Sequence, residues 1–405
     1  MSSDESFASV IHVNVALLRL SGVVSCGGKA TDVRRARILQ TVLGTVAYGC
    51  LLTYSLLYTR EFILYTVHLG TWMESLAMIL SVMGGQARFT IILLSQRRFR
   101  RLLTVCEELW LTLSAREKGR VRDCMKGTRR LTYYYVFGCV FTIFFYAVAN
   151  LFMKSRHDDS PANISRSLPY VCPIDVHRTP YYEITYAMQL CSMTNVGLTC
   201  AATDTIGPVL ILTVSGHFKV LNSRIQRICE RTCDKEGKSR EDATVFLEDT
   251  SRSDHAMLDL KACVRYHQTI LAFCKEVEKL TTGIFLSQLL TSTYNISLVG
   301  FKLAGDDPDK FKYTTQVLIA AIQLFLSNWP ADVLLTESNA VAKAAYFTSW
   351  YRSPYRLKKS LHIITMRSQK AEQLTAGYFV PLSLQTFASM VSSAASFFTM
   401  MRSMN

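Results

Sequence analysis

The sequence predicts an all-α membrane protein that crosses the bilayer seven times, with its N-terminus in the cytosol and its C-terminus outside. Three observations predict it. Hydrophobic residues make up 49% of the 405 residues, yet the net charge is +14. The apolar residues gather in stretches of about 20, the length that crosses the hydrocarbon core. The Lys and Arg residues gather between alternate stretches, the bias that sets orientation.

The stretches follow in order. The first is Ile38–Tyr58. The second, Trp72–Ser95, is interrupted by Arg88 near its end. The third, Leu131–Phe152, is rich in aromatics nearly all round a helix, which suits burial among other helices. The fourth, Ile184–Gly216, contains Asp204. Leu280–Phe301 and the short Tyr313–Trp329 are the fifth and sixth, and Leu374–Met401 is the last. The second, fourth and sixth are less apolar at one end, so their helices are expected to run out of the bilayer into the cytosol.

Orientation follows from the loops. Eleven basic residues from Arg97 to Arg130 separate the second and third spans. Lys343, Arg352, Arg356, Lys358, Lys359, Arg367 and Lys370 separate the last two. By contrast, the first–second loop holds only Arg60, and the fifth–sixth loop reads AGDDPDK. The glycosylation triplet Asn163-Ile164-Ser165 falls in a loop this topology places outside. The start, MSSDES, lacks the basic residues of a secretory signal. Ile11–Val24 reads as an amphipathic helix lying on the membrane surface. Of the twelve Cys, only Cys172 falls outside, so free thiols are expected rather than a disulfide framework.

These features exclude several functions. The basic charge suits the anionic cytosolic face of a membrane, and no nucleic-acid motif accompanies it. No HExxH, GxGxxG or GxSxG is present, so no enzyme and no cofactor or metal is expected. A metabotropic seven-helix receptor would have the opposite topology and DRY-like or NPxxY-like motifs, which are missing. A transporter would show paired broken helices, and none is evident.

Two sets of residues are candidates for function. On the last span, Gln385, Ser389, Ser393, Ser396, Met400 and Met404 share one helical face. A polar stripe on a membrane helix must face protein or water. It either lines a pore with Met400 and Met404 as a dewetting gate, or lets helices pack closely. The second set would surround an apolar ligand in the outer half of the bundle. It comprises Met73, Ala77 and Leu80, then Phe144, Tyr146 and Ala147, then Tyr186, Gln189, Leu190 and Met193. Ordinary helix packing is the competing reading of each. Glu74 and Asp204 read as paired structural acids.

From about His255 onward the chain resembles the insect odorant receptor family. The resemblance rests on LKACVRYHQTILAF with His267, on Glu337-Ser338, Ala345-Tyr346 and Trp350, and on Arg367-Ser368-Gln369-Lys370. Gly377, Leu382-Ser383-Leu384, Phe387 and Phe398 complete it. Two positions depart: Ala371 stands for the family's Pro, and Phe397 for its Tyr. A gustatory-type receptor, the neighbouring family, would carry a closing TYxxxxxQF that this chain lacks.

The resemblance implies a tetrameric, odorant-gated cation channel in the plasma membrane of an olfactory neuron dendrite, usually assembled with a shared co-receptor subunit. It implies residues 1–330 holding the surface helix, six spans and the odorant pocket, a cytosolic anchor over 331–373, and a pore-lining helix over 374–405 whose gate falls at Met400 and Met404. The partners implied are a small volatile odorant, the co-receptor or further copies of the chain, and membrane lipid.

Overall fold

The computed structural model describes residues 6–23, 30–64, 69–152, 180–233, 245–304, 310–348, 350–352 and 355–403. Among them, Asn163, Cys172 and Met404 are not included, and the side chains of Glu74, Tyr146, Ala147 and Arg402 also fall outside the description.

The chain opens with a single turn, α1 (Phe7–Val10), and a short helix, α2 (His12–Leu20). Long helices follow: α3 (Ala30–Leu64), α4 (Leu69–Leu94), α5 (Gln96–Leu111), α6 (Ala115–Phe152), α7 (Tyr181–Cys233), α8 (Val245–Ala304) and α9 (Lys310–Tyr346). After a 3-10 turn at Trp350–Arg352 come α10 (Tyr355–Ser368), a hairpin of β1 (Thr375–Ala376) and β2 (Val380–Pro381), and α11 (Leu384–Ser403). Four helices contain segments apolar and long enough to cross a membrane: Ile38–Leu57, Ser75–Leu94, Tyr181–Ile228 and Tyr313–Tyr346. The corresponding parts of α6, α8 and α11 are helical but diluted by Tyr, Ser, Thr and Gln.

The helix α7 forms the axis of the bundle and packs against α2, α3, α4, α6, α8 and α9. From Ala201 to Phe218 every residue is buried. Small residues make this closeness possible. At Gly207 an added Cβ would stand 2.7 Å from the Phe285 ring of α8, a steric reason for glycine at a helix contact. Within α7 the Thr205, Thr213 and Ser215 hydroxyls donate to carbonyls four residues back, so burial leaves these donors satisfied.

Beyond the apolar segments the helices continue into the basic half, as expected for the fourth and sixth stretches. The stretch 217–279, basic enough to read as a loop, is largely helical: α7 extends to Cys233 and α8 begins at Val245. There Ser114 and Glu117 form a capping box at the start of α6, the Glu117 carboxylate accepting from Ser114 N at 3.0 Å and Oγ at 2.9 Å. The same carboxylate accepts from Arg224 Nε and a terminal nitrogen at 2.7 and 2.9 Å. The Arg224 hydrogen bonds hold the Glu117 carboxyl down to about 2. His267 packs edge-on against Phe218, and burial lowers its pKa, so it is a neutral packing residue.

Two expectations are corrected. The apolar face of α2 is covered by protein rather than open to lipid: Leu18 is wholly buried, α2 packs on α7, and Asn14 Nδ2 donates to Thr132 at 3.3 Å. The last helix begins at Leu384, ten positions later than Leu374. The intervening hairpin turns through Gly377 at φ +63° and Tyr378 at φ 67°, a left-handed conformation that breaks a helix. It is pinned to α8, where the Thr282 carbonyl and hydroxyl accept from the Gly377 and Tyr378 amides at 3.1 and 3.2 Å. The helix α9 runs through Pro330 to Tyr346, beyond the sixth apolar stretch as expected. The eight described Cys residues with assigned states, Cys50, Cys106, Cys124, Cys139, Cys191, Cys200, Cys263 and Cys274, are free thiols.

Candidate functional site

Five helices leave a cavity of about 250 Å3 between them. Its wall follows helical periodicity. Tyr135, Cys139, Thr142 and Ile143 line it from α6; Met193, Val196, Gly197 and Cys200 from α7; Gln316, Ile319, Ala320 and Gln323 from α9. Met78, Ser81, Val82 and Arg88 come from α4, and Thr291 and Asn295 from α8. The lining is mostly aliphatic and sulfur-bearing, with polar groups both around Arg88 and farther along the wall at Ser81, Asn295, Thr142 and Gln316.

A buried ion pair forms the polar end. Arg88 Nε lies 3.0 Å from Asp204 Oδ1, and both side chains are almost fully buried, at 2% and 0% exposure. The approach is not aligned for a hydrogen bond, so this contact is coulombic. Asp204 is held on its other side. Its Oδ2 accepts from the Tyr135 hydroxyl at 2.6 Å and from Gln323 Nε2 at 2.8 Å. Gln323 Nε2 also donates to the Tyr135 oxygen at 2.7 Å. Arg88 Nη1 donates to Thr291 Oγ1 at 3.2 Å. Burying two charges costs several kcal/mol per ion unless the partners satisfy them. Here four other helices supply those partners to α4 and its Arg88. Gly84 permits the α4–α8 approach, since a Cβ there would stand 2.1 Å from Thr291 Cγ2.

The predicted pocket residues divide around this cavity. Met193 lies on its wall. Met73 and Ala77 are buried instead in a separate cluster with Leu298, Val299 and Tyr313, and Leu80 packs against that cluster. The cavity face of α4 is the adjoining one, carrying Met78, Ser81 and Val82. Gln189 is buried, and Tyr186 and Leu190 are half-buried, but none lines the cavity. Phe144 is 62% exposed. Depth along each stretch had guided that choice; which side of a helix faces a void depends on its neighbours.

The polar stripe of the last helix is where the sequence puts it. Gln385, Ser389, Ser393, Ser396 and Met400 are all exposed on α11. The opposite side packs: Ala394 is buried, and Phe387, Met390 and Val391 rest on the core. The serine hydroxyls donate within the helix, Ser393 to the Ser389 carbonyl and Ser396 to that of Ser392. The N-terminus of α11 is docked on α9, where Asp332 accepts from the Leu384 amide at 3.2 Å and Asn328 from that of Ser383 at 3.3 Å.

The resemblance residues meet at the basic end. Glu337 pairs with Lys219 at 3.3 Å, and Ser338 Oγ accepts from the Glu372 amide at 3.1 Å. Arg367 holds Glu372 at 2.7 Å.

Long apolar helices sharing one core, with a small-molecule-sized cavity inside the bundle, define a helical membrane protein with an internal cavity. A family model described as 7tm Odorant receptor matches residues 68–395. Odorant receptor 63a of Drosophila melanogaster is 24% identical over 290 residues, covering 69% of this chain and 65% of that one. Odorant receptor 13a of the same species is 26% identical over 335 residues, covering 76% and 74%. Against a further Drosophila odorant receptor the chain spans 58% of the relative's length. The solved insect olfactory receptor OR5 from Machilis hrabei shares the fold, with a TM-score of 0.76 alone and 0.74 in its complex with eugenol. Both comparisons cover 98% of each chain at 15% identity. The chain belongs to the insect odorant receptor family, a family of receptors and not of enzymes.

Proposed function

We propose that this chain is a subunit of an odorant-gated cation channel. It binds a small volatile molecule within the bundle and opens a pore lined by α11. The observation that carries the reading is the exposed row Gln385, Ser389, Ser393, Ser396 and Met400. In a membrane, such a row needs water or other subunits to face. A ring of chains around one axis supplies both, with Met400 and Met404 as the apolar constriction that hydrates on opening. The helices α3, α4, α6, α7, α8, α9 and α11 cross the plasma membrane, with the N-terminus cytosolic. Residues 331–373 anchor the subunits to one another beneath it. The assembly is a tetramer of this chain with the family's co-receptor subunit, or of this chain alone. Ligand stabilises the open arrangement because it binds that arrangement more tightly.

Whole-cell current under a broad odorant panel, with and without an insect co-receptor and with G-protein signalling blocked, tests the proposal. Current is expected to survive the block, and Met400→Ala is expected to raise the current that flows without ligand, because the constriction loses its bulk. A response abolished by the block overturns the channel reading.

A further inference from the structure

The polar end of the cavity has a surplus of donors. A guanidinium carries five N–H groups and no acceptor. Arg88 uses one toward Thr291 Oγ1 and leaves Nε beside Asp204 without hydrogen-bond alignment. Its other neighbour is the Cys200 thiol, a weak acceptor. Arg88 itself lies on the cavity wall and is 2% exposed. The hydroxyl protons around it are committed elsewhere: Thr291 donates to the Ser287 carbonyl at 2.9 Å, and Thr142 to that of Gly138 at 2.9 Å. Asp204, whose carboxylate could have served a cationic or hydroxylic ligand, does not line the cavity; its Oδ2 is covered by Tyr135 and Gln323, and its Oδ1 by Arg88 and the Thr203 hydroxyl.

Resting on the reading of this cavity as the ligand site, we infer that it takes an uncharged, mostly apolar molecule carrying one carbonyl oxygen, and that Arg88 donates to that oxygen. Size agrees. At ~30 Å3 per water the cavity holds about eight waters, room for a compact ligand of roughly ten heavy atoms. A carbonyl only accepts, so it meets the surplus without asking for an acceptor in return. An alcohol brings a proton with no vacant strong acceptor beside Arg88. A carboxylate would add a second negative charge to a neutral buried pair, and burying an uncompensated charge is the costliest arrangement.

Isosteric probes test this: acetophenone, its alcohol (α-methylbenzyl alcohol), cumene and benzoate. Their binding is measured by equilibrium dialysis against the full-length chain in lipid nanodiscs, with empty nanodiscs subtracted. Acetophenone is expected to bind about tenfold more tightly than cumene, the size of one charge-assisted hydrogen bond, with the alcohol between and benzoate weakest. In Arg88→Met with Asp204→Asn, which leaves no orphan charge, the ketone's advantage falls to about twofold or less while cumene still binds. Infrared spectroscopy of bound acetophenone gives a readout independent of any variant: its carbonyl stretch moves to lower frequency than in hydrocarbon solvent. Equal binding of ketone and cumene, tightest binding of benzoate, binding of none of the probes, or an unshifted carbonyl overturns the inference. None of these readouts uses current, so selective ketone binding by a chain that passes no current either alone or with the co-receptor would sink the channel reading and leave this one standing.

Discussion

The helix α7 carries one member of each of two ion pairs, Asp204 with Arg88 and Arg224 with Glu117. The two positions are 20 residues apart, about 30 Å at ~1.5 Å per residue. The first pair is sealed in the apolar half of the bundle. The second sits in the basic half, where Arg224 keeps 28% of its side chain exposed and lies over the Tyr266 ring at 4.7 Å. At this outer pair water reaches Arg224 and can solvate its guanidinium when the pair is broken, though the Glu117 side chain is only 8% exposed. Around Asp204 it cannot. The same chemistry therefore constrains the bundle in one place and decorates its end in the other.

Breaking the inner pair has the largest expected effect. Asp204→Ala strands the Arg88 guanidinium and is expected to cost about 3–5 kcal/mol, as for other broken buried pairs. Folded yield in detergent and the thermal midpoint would both drop sharply. A small shift would mean that water reaches Arg88. Replacing both partners sharpens the point: Arg88→Met with Asp204→Leu is expected to restore most of that loss, because apolar pairs of similar volume replace buried ion pairs with little penalty. If the double variant is no more stable than Asp204→Ala, Tyr135 and Gln323 are the groups that cannot do without the carboxylate.

Breaking the outer pair should do less. Glu117→Ala removes a capping residue and an ion pair whose Arg224 side is partly open to water, together about 1–2 kcal/mol. Its pH dependence has a definite sign. The folded carboxyl is held at about 2, below its ordinary 4.5. The stability it contributes is therefore complete above about pH 4.5 and is lost as pH falls toward 2. Comparing wild type with Glu117→Gln across that window isolates it, and parallel curves would mean the ion pair contributes nothing. The smallest effect belongs to the exposed Asp123–Lys126 pair on α6, 2.6 Å apart. Asp123→Asn is expected to leave the thermal midpoint unchanged, since solvent screens such pairs.

These pairs also mark how far the sequence could be read. Arg88 and Asp204 each stand out as a charge inside an apolar stretch, which is a signal for a buried site. Nothing in the sequence couples them, because 116 positions separate them and the azimuth of each helix is set by the others. Asp204 was expected to be a paired structural acid near the boundary of its span, and it is paired, with Arg88, just behind the cavity wall. Most of the expected pocket residues lie off this cavity for the same reason. Along α4, Met73, Ala77 and Leu80 are as apolar as Met78 and Val82, so composition could not say which set faces the void. Asn295, within the fifth apolar stretch, lines the cavity as well. On α11 the reading was more secure, because Ser and Gln on one face and Phe, Met and Val on the other impose their own azimuth on any helix that must bury one side.

By itself the sequence determined the all-helical class, the apolar segments, the polar stripe on the last helix and the family. The first three follow from composition and local periodicity and the family from the resemblance of its motifs between His267 and Phe398, all of which the chain carries whatever it packs against. The tertiary structure decided the burial of α2, the hairpin before α11, the pairing of Arg88 with Asp204 and the face of each helix that lines the cavity. Those depend on contacts between residues far apart in the chain, where the close packing of five helices, rather than the preference of any one residue, sets what is enclosed.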